Sequence, residues 1–202
     1  MAERRLFKEY KQCKKTPPSL SNPQIISLAP VNEENIFVWH STIAKPDKAA
    51  NEYYYGGQWD LSITVSPQYP MEPPVIKFIT PIIHPNINAT TGEICLDILK
   101  KESWSPAWNL QYLITAILML LDSPEPDSPL NIDAANLYRH DTVAFESLIQ
   151  FSLWKYNSFY RGNNPATAAG SGNVDTATTT STVKATKLSR DISGSKNLTM
   201  VN

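Results

Sequence analysis

Only two cysteines, Cys13 and Cys95, occur among 202 residues. Two thiols cannot build the disulfide framework that staples small secreted domains, so they raise a question of thiol reactivity rather than pairing. Long apolar runs are missing too. The longest, Leu113 to Leu121, is broken by Thr115 and is far shorter than the roughly 20 residues needed to cross a bilayer. There is no excess charge of either sign, with 18 Lys+Arg against 19 Asp+Glu. Divided at Tyr160, the first part is acidic and the remainder slightly basic, and neither has the strongly basic surface that nucleic-acid binding needs. Met1 opens a charged, helix-forming stretch rather than a secretory leader. The expectation is a protein made and kept in the cytosol. The sequon Asn88-Ala89-Thr90 then counts for nothing, because N-glycosylation requires secretion.

The length and ordinary apolar fraction allow one sizeable core with an appendage. From Ala2 to Lys15, charged residues and Gln alternate with Leu6, Phe7 and Tyr10, a spacing that predicts a helix with these three on one face, ended by Pro17-Pro18. Short segments rich in β-branched and aromatic residues follow: Ile25 to Leu28, Ile36 to Ile43, Gln58 to Val65 and Val75 to Phe78. Pro30, Pro46, Gly56-Gly57, Pro67, Pro70 and Pro73-Pro74 fall between them as turn punctuation, which suits an antiparallel meander. Thr80 to Pro106 sustains no period and reads as a long ordered loop, a kind of segment that is functional more often than accidental. Asn109 caps a helix to Leu121, with Leu110, Leu113, Ile114, Ile117, Leu118 and Leu121 on one face and Gln111, Thr115 and Met119 on the other. A short helix from Ile132 to Tyr138 and a longer one from Thr142 to about Phe159 complete an α+β domain over residues 1–161. Residues 162–202 are Thr, Ser, Ala, Gly and Asn with few large apolar groups, and are expected to be a disordered tail.

Cys95 lies in the long loop. Considered alone, a cytosolic cysteine is more often a quiet buried thiol than a nucleophile. Its neighbours reverse that reading. His84-Pro85-Asn86-Ile87, then Gly92-Glu93-Ile94-Cys95-Leu96-Asp97-Ile98-Leu99 and Trp104-Ser105-Pro106-Ala107, resemble the catalytic segment of the ubiquitin-conjugating enzymes, the E2 family. Tyr69-Pro70-Met71-Glu72-Pro73-Pro74 resembles that family's link between the third and fourth strands, and the similarity runs from Met1 to about Tyr160. The resemblance implies the UBC fold: an N-terminal helix, a four-stranded antiparallel sheet, a long active-site loop and three further helices. It implies an enzyme that carries ubiquitin as a thioester on Cys95, with no cofactor or metal of its own, ATP being used by the activating enzyme (E1). A thioester is a reactive acyl donor, and a thiol is a better nucleophile than a hydroxyl near neutral pH. Cys13, on the first helix and without such neighbours, keeps the quiet reading.

By position, the family makes Asn86 the donor that stabilises the oxyanion when an acceptor attacks; the alternative is an Asn that braces the loop backbone, and both roles can coexist. His84 is then a structural residue organising the loop, beside a stiffening Pro85, rather than half of a Cys–His pair. Asp97 matches an acidic position that orients or deprotonates an incoming lysine, or is simply a solvated charge. Where many E2s have an Asp before the Pro of Asp127-Ser128-Pro129-Leu130, this chain has Ser128, which cannot act as a carboxylate base. A cysteine acceptor, whose unperturbed pKa is about two units below that of lysine, needs less help.

One extra residue within Lys100-Lys101-Glu102-Ser103, the tryptophan pair of Trp104-Ser105-Pro106-Ala107-Trp108 and the run Asp127 to Asp133 resemble the peroxisomal E2 of yeasts, a peroxin. That resemblance implies recruitment to the cytosolic face of peroxisomes, with a cytoplasmic pool, by a membrane-anchored partner, and monoubiquitination of the import receptor on a cysteine for its recycling. No direct membrane insertion is expected. Arg4, Arg5 and Lys8 match positions that meet E1 and RING ligases (E3), or form a merely solvated helical face. Met71, Ser105, Pro106 and Ala107 match ligase-binding loops, and Gln111, Thr115 and Met119 the face that cradles donor ubiquitin. Other classes left by the residues are an inactive E2-like scaffold, against which intact Cys95 argues, a general cytosolic or nuclear E2, and an unrelated cysteine hydrolase.

Overall fold

The computed structural model describes residues 1–48 and 53–156. In chain order these form helix α1 (Ala2–Lys15), a short helix α2 (Pro18–Ser21), strands β1 (Ile25–Asn32), β2 (Asn35–Lys45), β3 (Gly57–Thr64) and β4 (Val75–Phe78), a 3-10 turn (Asp97–Leu99), and helices α3 (Leu110–Asp122), α4 (Ile132–His140) and α5 (Thr142–Tyr156). The strands pair antiparallel in the order β1-β2-β3-β4. This is the expected α+β meander with its helices. The predicted boundary at residue 161, the tail beyond it and the end of the last helix past Tyr156 lie outside the described residues.

Alternation builds the core. Trp39 and Ile43 of β2 and Trp59, Leu61 and Ile63 of β3 are buried, and Leu113, Ile114, Ile117, Leu118 and Leu121 of α3 complete the cluster. Leu120, not assigned to the apolar face from sequence, is buried as well. The cap expected at Asn109 is present, and Asn131 and Asp141 cap the two helices that follow. Asn109 Oδ1 accepts from the Tyr112 amide at 2.8 Å, Asn131 Oδ1 from that of Ala134 at 3.1 Å and Asp141 Oδ1 from that of Ala144 at 2.9 Å.

Two local expectations are corrected. Phe7 is 43 % exposed, and the buried side of α1 carries Ala2 and Leu6, with Tyr10 and Cys13 packed behind them. Successive helical residues are about 100° apart, so Leu6 and Phe7 cannot both point at the core. Pro30 does not end β1 but pairs opposite Trp39 within it, which an edge strand permits because one row of its amides has no ladder partner. The first helix does end before Pro17-Pro18, and Pro18 opens a short second helix, its missing amide costing nothing at a helix N-terminus. Among the described residues no helix is long and apolar enough to cross a membrane.

Candidate active site

The loop after β4 folds back on itself. Phe78 donates its amide to the Gly92 carbonyl at 2.9 Å, and single bridges join Lys77 to Glu93 and Ile87 to Ile94. The bend between is closed by Asn88, whose Oδ1 accepts from the amides of Thr90 and Thr91 at 2.9 and 3.0 Å. Gly92 has φ +69°, and a Cβ there would fall 2.0 Å from the Phe78 carbonyl oxygen, so the close approach to β4 requires glycine. This doubling back sets Cys95 beside the His84-Pro85-Asn86 segment: the Cys95 amide donates to the Asn86 carbonyl at 2.8 Å.

His84 is buried with both ring nitrogens engaged. Nδ1 accepts from the Asn86 amide at 2.9 Å, which leaves the proton on Nε2 to be donated to the Leu120 carbonyl at 3.0 Å. Burial lowers its pKa to about 4, so the ring is neutral at physiological pH. A ring fixed in this way acts as a strut and has no nitrogen left for a Cys–His pair. Pro85 accepts from the amides of Leu130 and Asn131 at 2.9 and 3.0 Å. The Asn86 side chain completes the stitching: Nδ2 donates to the carbonyls of Glu125 at 2.7 Å and Ser128 at 3.2 Å, while Oδ1 accepts from the Glu125 amide at 2.8 Å. The bracing role foreseen for Asn86 is therefore occupied here, and an oxyanion would have to draw one of these hydrogens away.

Cys95 is half-buried and Asp97 is exposed at the start of the 3-10 turn. Asp97 is not free in solvent, since its Oδ1 holds the ammonium of Lys100 at 2.6 Å. Ser128 is exposed on the loop that Asn86 grips, and Arg139 anchors the same loop through Pro126 O at 2.7 Å and Asp127 at 2.6 Å. Next to Cys95 a shallow groove of about 460 Å³ runs between Leu96 and Ile98 on one wall and Tyr112, Ala116 and Met119 on the other.

Of the predicted donor face, Met119 lines that groove, whereas Gln111 bonds Ser21 Oγ at 2.7 Å beside a separate pocket against α1, and Thr115 Oγ1 turns to the Gln111 carbonyl. Tyr112, one position along from Gln111, lines the groove too. Arg5 is also spent differently from expectation. It bonds Glu9 at 2.6 Å and the carbonyls of Pro106 and Trp108 at 3.3 and 2.8 Å, tying α1 to the loop before α3. Arg4 and Lys8 are exposed, as are Met71, Pro106 and Ala107, with Ser105 half-buried. Trp104 supports them by donating to Pro70 O at 2.7 Å, with its ring tilted against Tyr69 and meeting Trp108 edge to face. Burial pushes the Cys13 thiol up to about 11, which fits its quiet reading.

A family model described as ubiquitin-conjugating enzyme matches residues 5–153. The chain belongs to this family. Among the E2s it is similar to, PEROXIN-4 of Arabidopsis thaliana is 45 % identical over 147 residues, covering 72 % of this chain and 88 % of that protein. The E2 named pex4 of Dictyostelium discoideum is also 45 % identical, covering 69 % and 87 %. The E2-21 kDa protein of Pichia angusta is 39 % identical, covering 78 % and 95 %. Among solved structures, Pex4p of H. polymorpha, crystallised with the soluble domain of Pex22p, matches with a TM-score of 0.69 and 37 % identity, covering 77 % of this chain and 97 % of that one. This E2 is thus of the peroxisomal type, an enzyme of the ubiquitin pathway whose partners include ubiquitin, E1 and E3.

Proposed function

We propose that Cys95 accepts ubiquitin from E1 as a thioester and, with a RING ligase, passes it to a cysteine of the peroxisomal import receptor for recycling. The observation that carries the reading is a half-buried Cys95 whose amide is held by the Asn86 carbonyl, immediately before Leu96, which lines the groove against α3. In charging, the Cys95 thiolate attacks the carbonyl carbon of the E1 thioester, a new C–S bond forms and the E1 thiolate leaves. In discharge, the acceptor thiolate attacks the same carbon, the oxyanion collapses and the Cys95 thiolate departs. Asn86 serves the oxyanion by releasing its longer bond, the one to the Ser128 carbonyl, and turning that N–H toward the new charge.

Preference for a thiol acceptor rests on Ser128. A hydroxyl offers no base to an incoming ammonium, while a thiol ionises without one. In this reading recruitment to the cytosolic face of peroxisomes runs through a membrane-anchored partner, which the complex of H. polymorpha Pex4p with Pex22p supports. Incubation with E1, ATP and ubiquitin is expected to give a thiol-sensitive adduct that is lost in Cys95→Ala. In discharge assays, free cysteine is expected to outpace free lysine, and Ser128→Asp to accelerate lysine by about tenfold or more. Unchanged lysine discharge in Ser128→Asp would refute the thiol preference, and no adduct at all would refute the enzyme reading.

A further inference from the structure

Lys100 stands at the reacting centre in a way the mechanism above leaves unused. It belongs to the stretch carrying the extra residue between Cys95 and Trp104, and its ammonium sits 2.6 Å from Asp97, two positions after the nucleophile. Its neighbour Lys101 is directed elsewhere, to Glu72 at 3.4 Å, and so does not share the task. We infer that Lys100 sets acceptor choice: it occupies the carboxylate that a lysine acceptor needs and offers positive charge to a thiolate acceptor. The inference rests on the thioester reading of Cys95.

The two acceptors meet this charge with opposite signs. An amine arrives as an ammonium, must shed a proton and gains from a carboxylate that attracts it and takes the proton. At Asp97 it meets a carboxylate already occupied by the Lys100 ammonium, so the group that should hold it and take its proton is engaged. A cysteine acceptor attacks as an anion. Lys100 attracts it, and as the C–S bond to Cys95 breaks, the same ammonium faces the departing thiolate. Lys100 itself is no competing nucleophile at neutral pH. Its hydrogen bond to Asp97, then the charge of Asp97 and that of Cys95, raise its pKa, which keeps the amine protonated.

Both members of the pair are exposed, so the effect is modest. Exposed ion pairs change equilibria by up to about fivefold. The test is single-turnover discharge of the Cys95 thioester to free cysteine and free lysine in wild type, Lys100→Ala, Lys100→Arg, Asp97→Asn and Lys100→Ala with Asp97→Asn. Expected is a two- to fivefold rise in lysine discharge in Lys100→Ala, a fall in cysteine discharge, and a wild-type ratio in Lys100→Arg, which keeps the charge but cannot be acylated as a lysine can. The gain should vanish in the double variant, because it acts through Asp97. Raising the salt from about 0.05 to 0.5 M should narrow the wild-type preference and leave that of Lys100→Ala unmoved. An unchanged cysteine-to-lysine ratio in Lys100→Ala, a Lys100→Arg variant that behaves like Lys100→Ala, or a gain that survives Asp97→Asn would each overturn the inference. A wild-type chain that forms no thioester would instead refute the reading it rests on.

Discussion

Asn86 is the residue on which stability and chemistry converge. Its amide makes three hydrogen bonds to the loop after α3, and its main-chain carbonyl takes the Cys95 amide. Truncation would leave part-buried peptide groups of Glu125 without their partner, and fully buried groups cost about 1 to 3 kcal/mol each when unsatisfied. Asn86→Ala is therefore expected to lose about 2 to 4 kcal/mol of unfolding free energy in urea. A loss below about 0.5 kcal/mol would mean that the bracing bonds contribute little, a value usual for neutral surface changes. The motif residues could be read from the sequence because their chemistry is local: Cys95, Asn86 and His84 lie where their spacing put them. The groove walls could not. Which α3 residues meet the groove depends on what packs beside the helix: Gln111 is drawn to Ser21, 90 positions away, while Tyr112 lines the groove. Nor could the contacts of Arg5 within the fold be read locally, as two of its partners lie 101 and 103 positions on.

At the scale of elements, the junction of α1, the link between β3 and β4, and α3 depends on one carboxylate. Glu9 accepts from Arg5 at 2.6 Å and from the Tyr69 hydroxyl at 2.7 Å through Oε1, and from the Leu110 amide at 2.9 Å through Oε2. The last bond places a negative charge at the N-terminus of α3, where helix amides are otherwise unpaired and the helix dipole favours an anion. Removing one partner of a largely buried charged cluster strands the others. Glu9→Ala is expected to cost about 3 kcal/mol in chemical denaturation, and Arg5→Ala with Glu9→Ala less than the sum of the single changes. Strict additivity would show that the two residues act independently. A second ion pair predicts an asymmetry. Lys45 Nζ is buried against both oxygens of Asp122, at 2.6 and 2.7 Å, while Asp122 itself reaches solvent. Asp122→Asn should therefore destabilise more than Lys45→Met, because only the former leaves a buried ammonium without its counter-charge. Neither junction is legible as such. Periodicity announces which elements exist, and it placed α1, β4 and α3 within a residue of their bounds, but it carries no information on which polar side chains meet between them.

For the molecule as a whole, the sequence conveyed the meander and the order of helices because hydrophobic period and turn residues agree along most of the chain. What it could not convey is that the ring of His84 joins the active-site loop to the end of α3 in a form that must stay neutral. Its Nδ1 is an acceptor and its surroundings are desolvated, so protonation in the folded state occurs only near pH 4, against about 6.5 for an exposed ring. A depressed histidine favours the unfolded chain once that chain begins to bind the proton. The folded state therefore keeps its full advantage above about pH 6.5, loses it progressively as the pH falls toward 4, and loses no more from this group below that. Between pH 7 and pH 5 the loss is about 2 kcal/mol, at close to 1.4 kcal/mol per unit over the steep part. Urea unfolding at the two pH values measures it, and His84→Asn supplies the control. That variant is expected to be less stable at pH 7, since the contact with Leu120 is lost, yet to have a shallower dependence on pH by about the same 2 kcal/mol. If wild type and variant decline in parallel, the buried ring is not what makes this fold sensitive to acid, and the carboxylates that titrate lower down must carry that sensitivity instead.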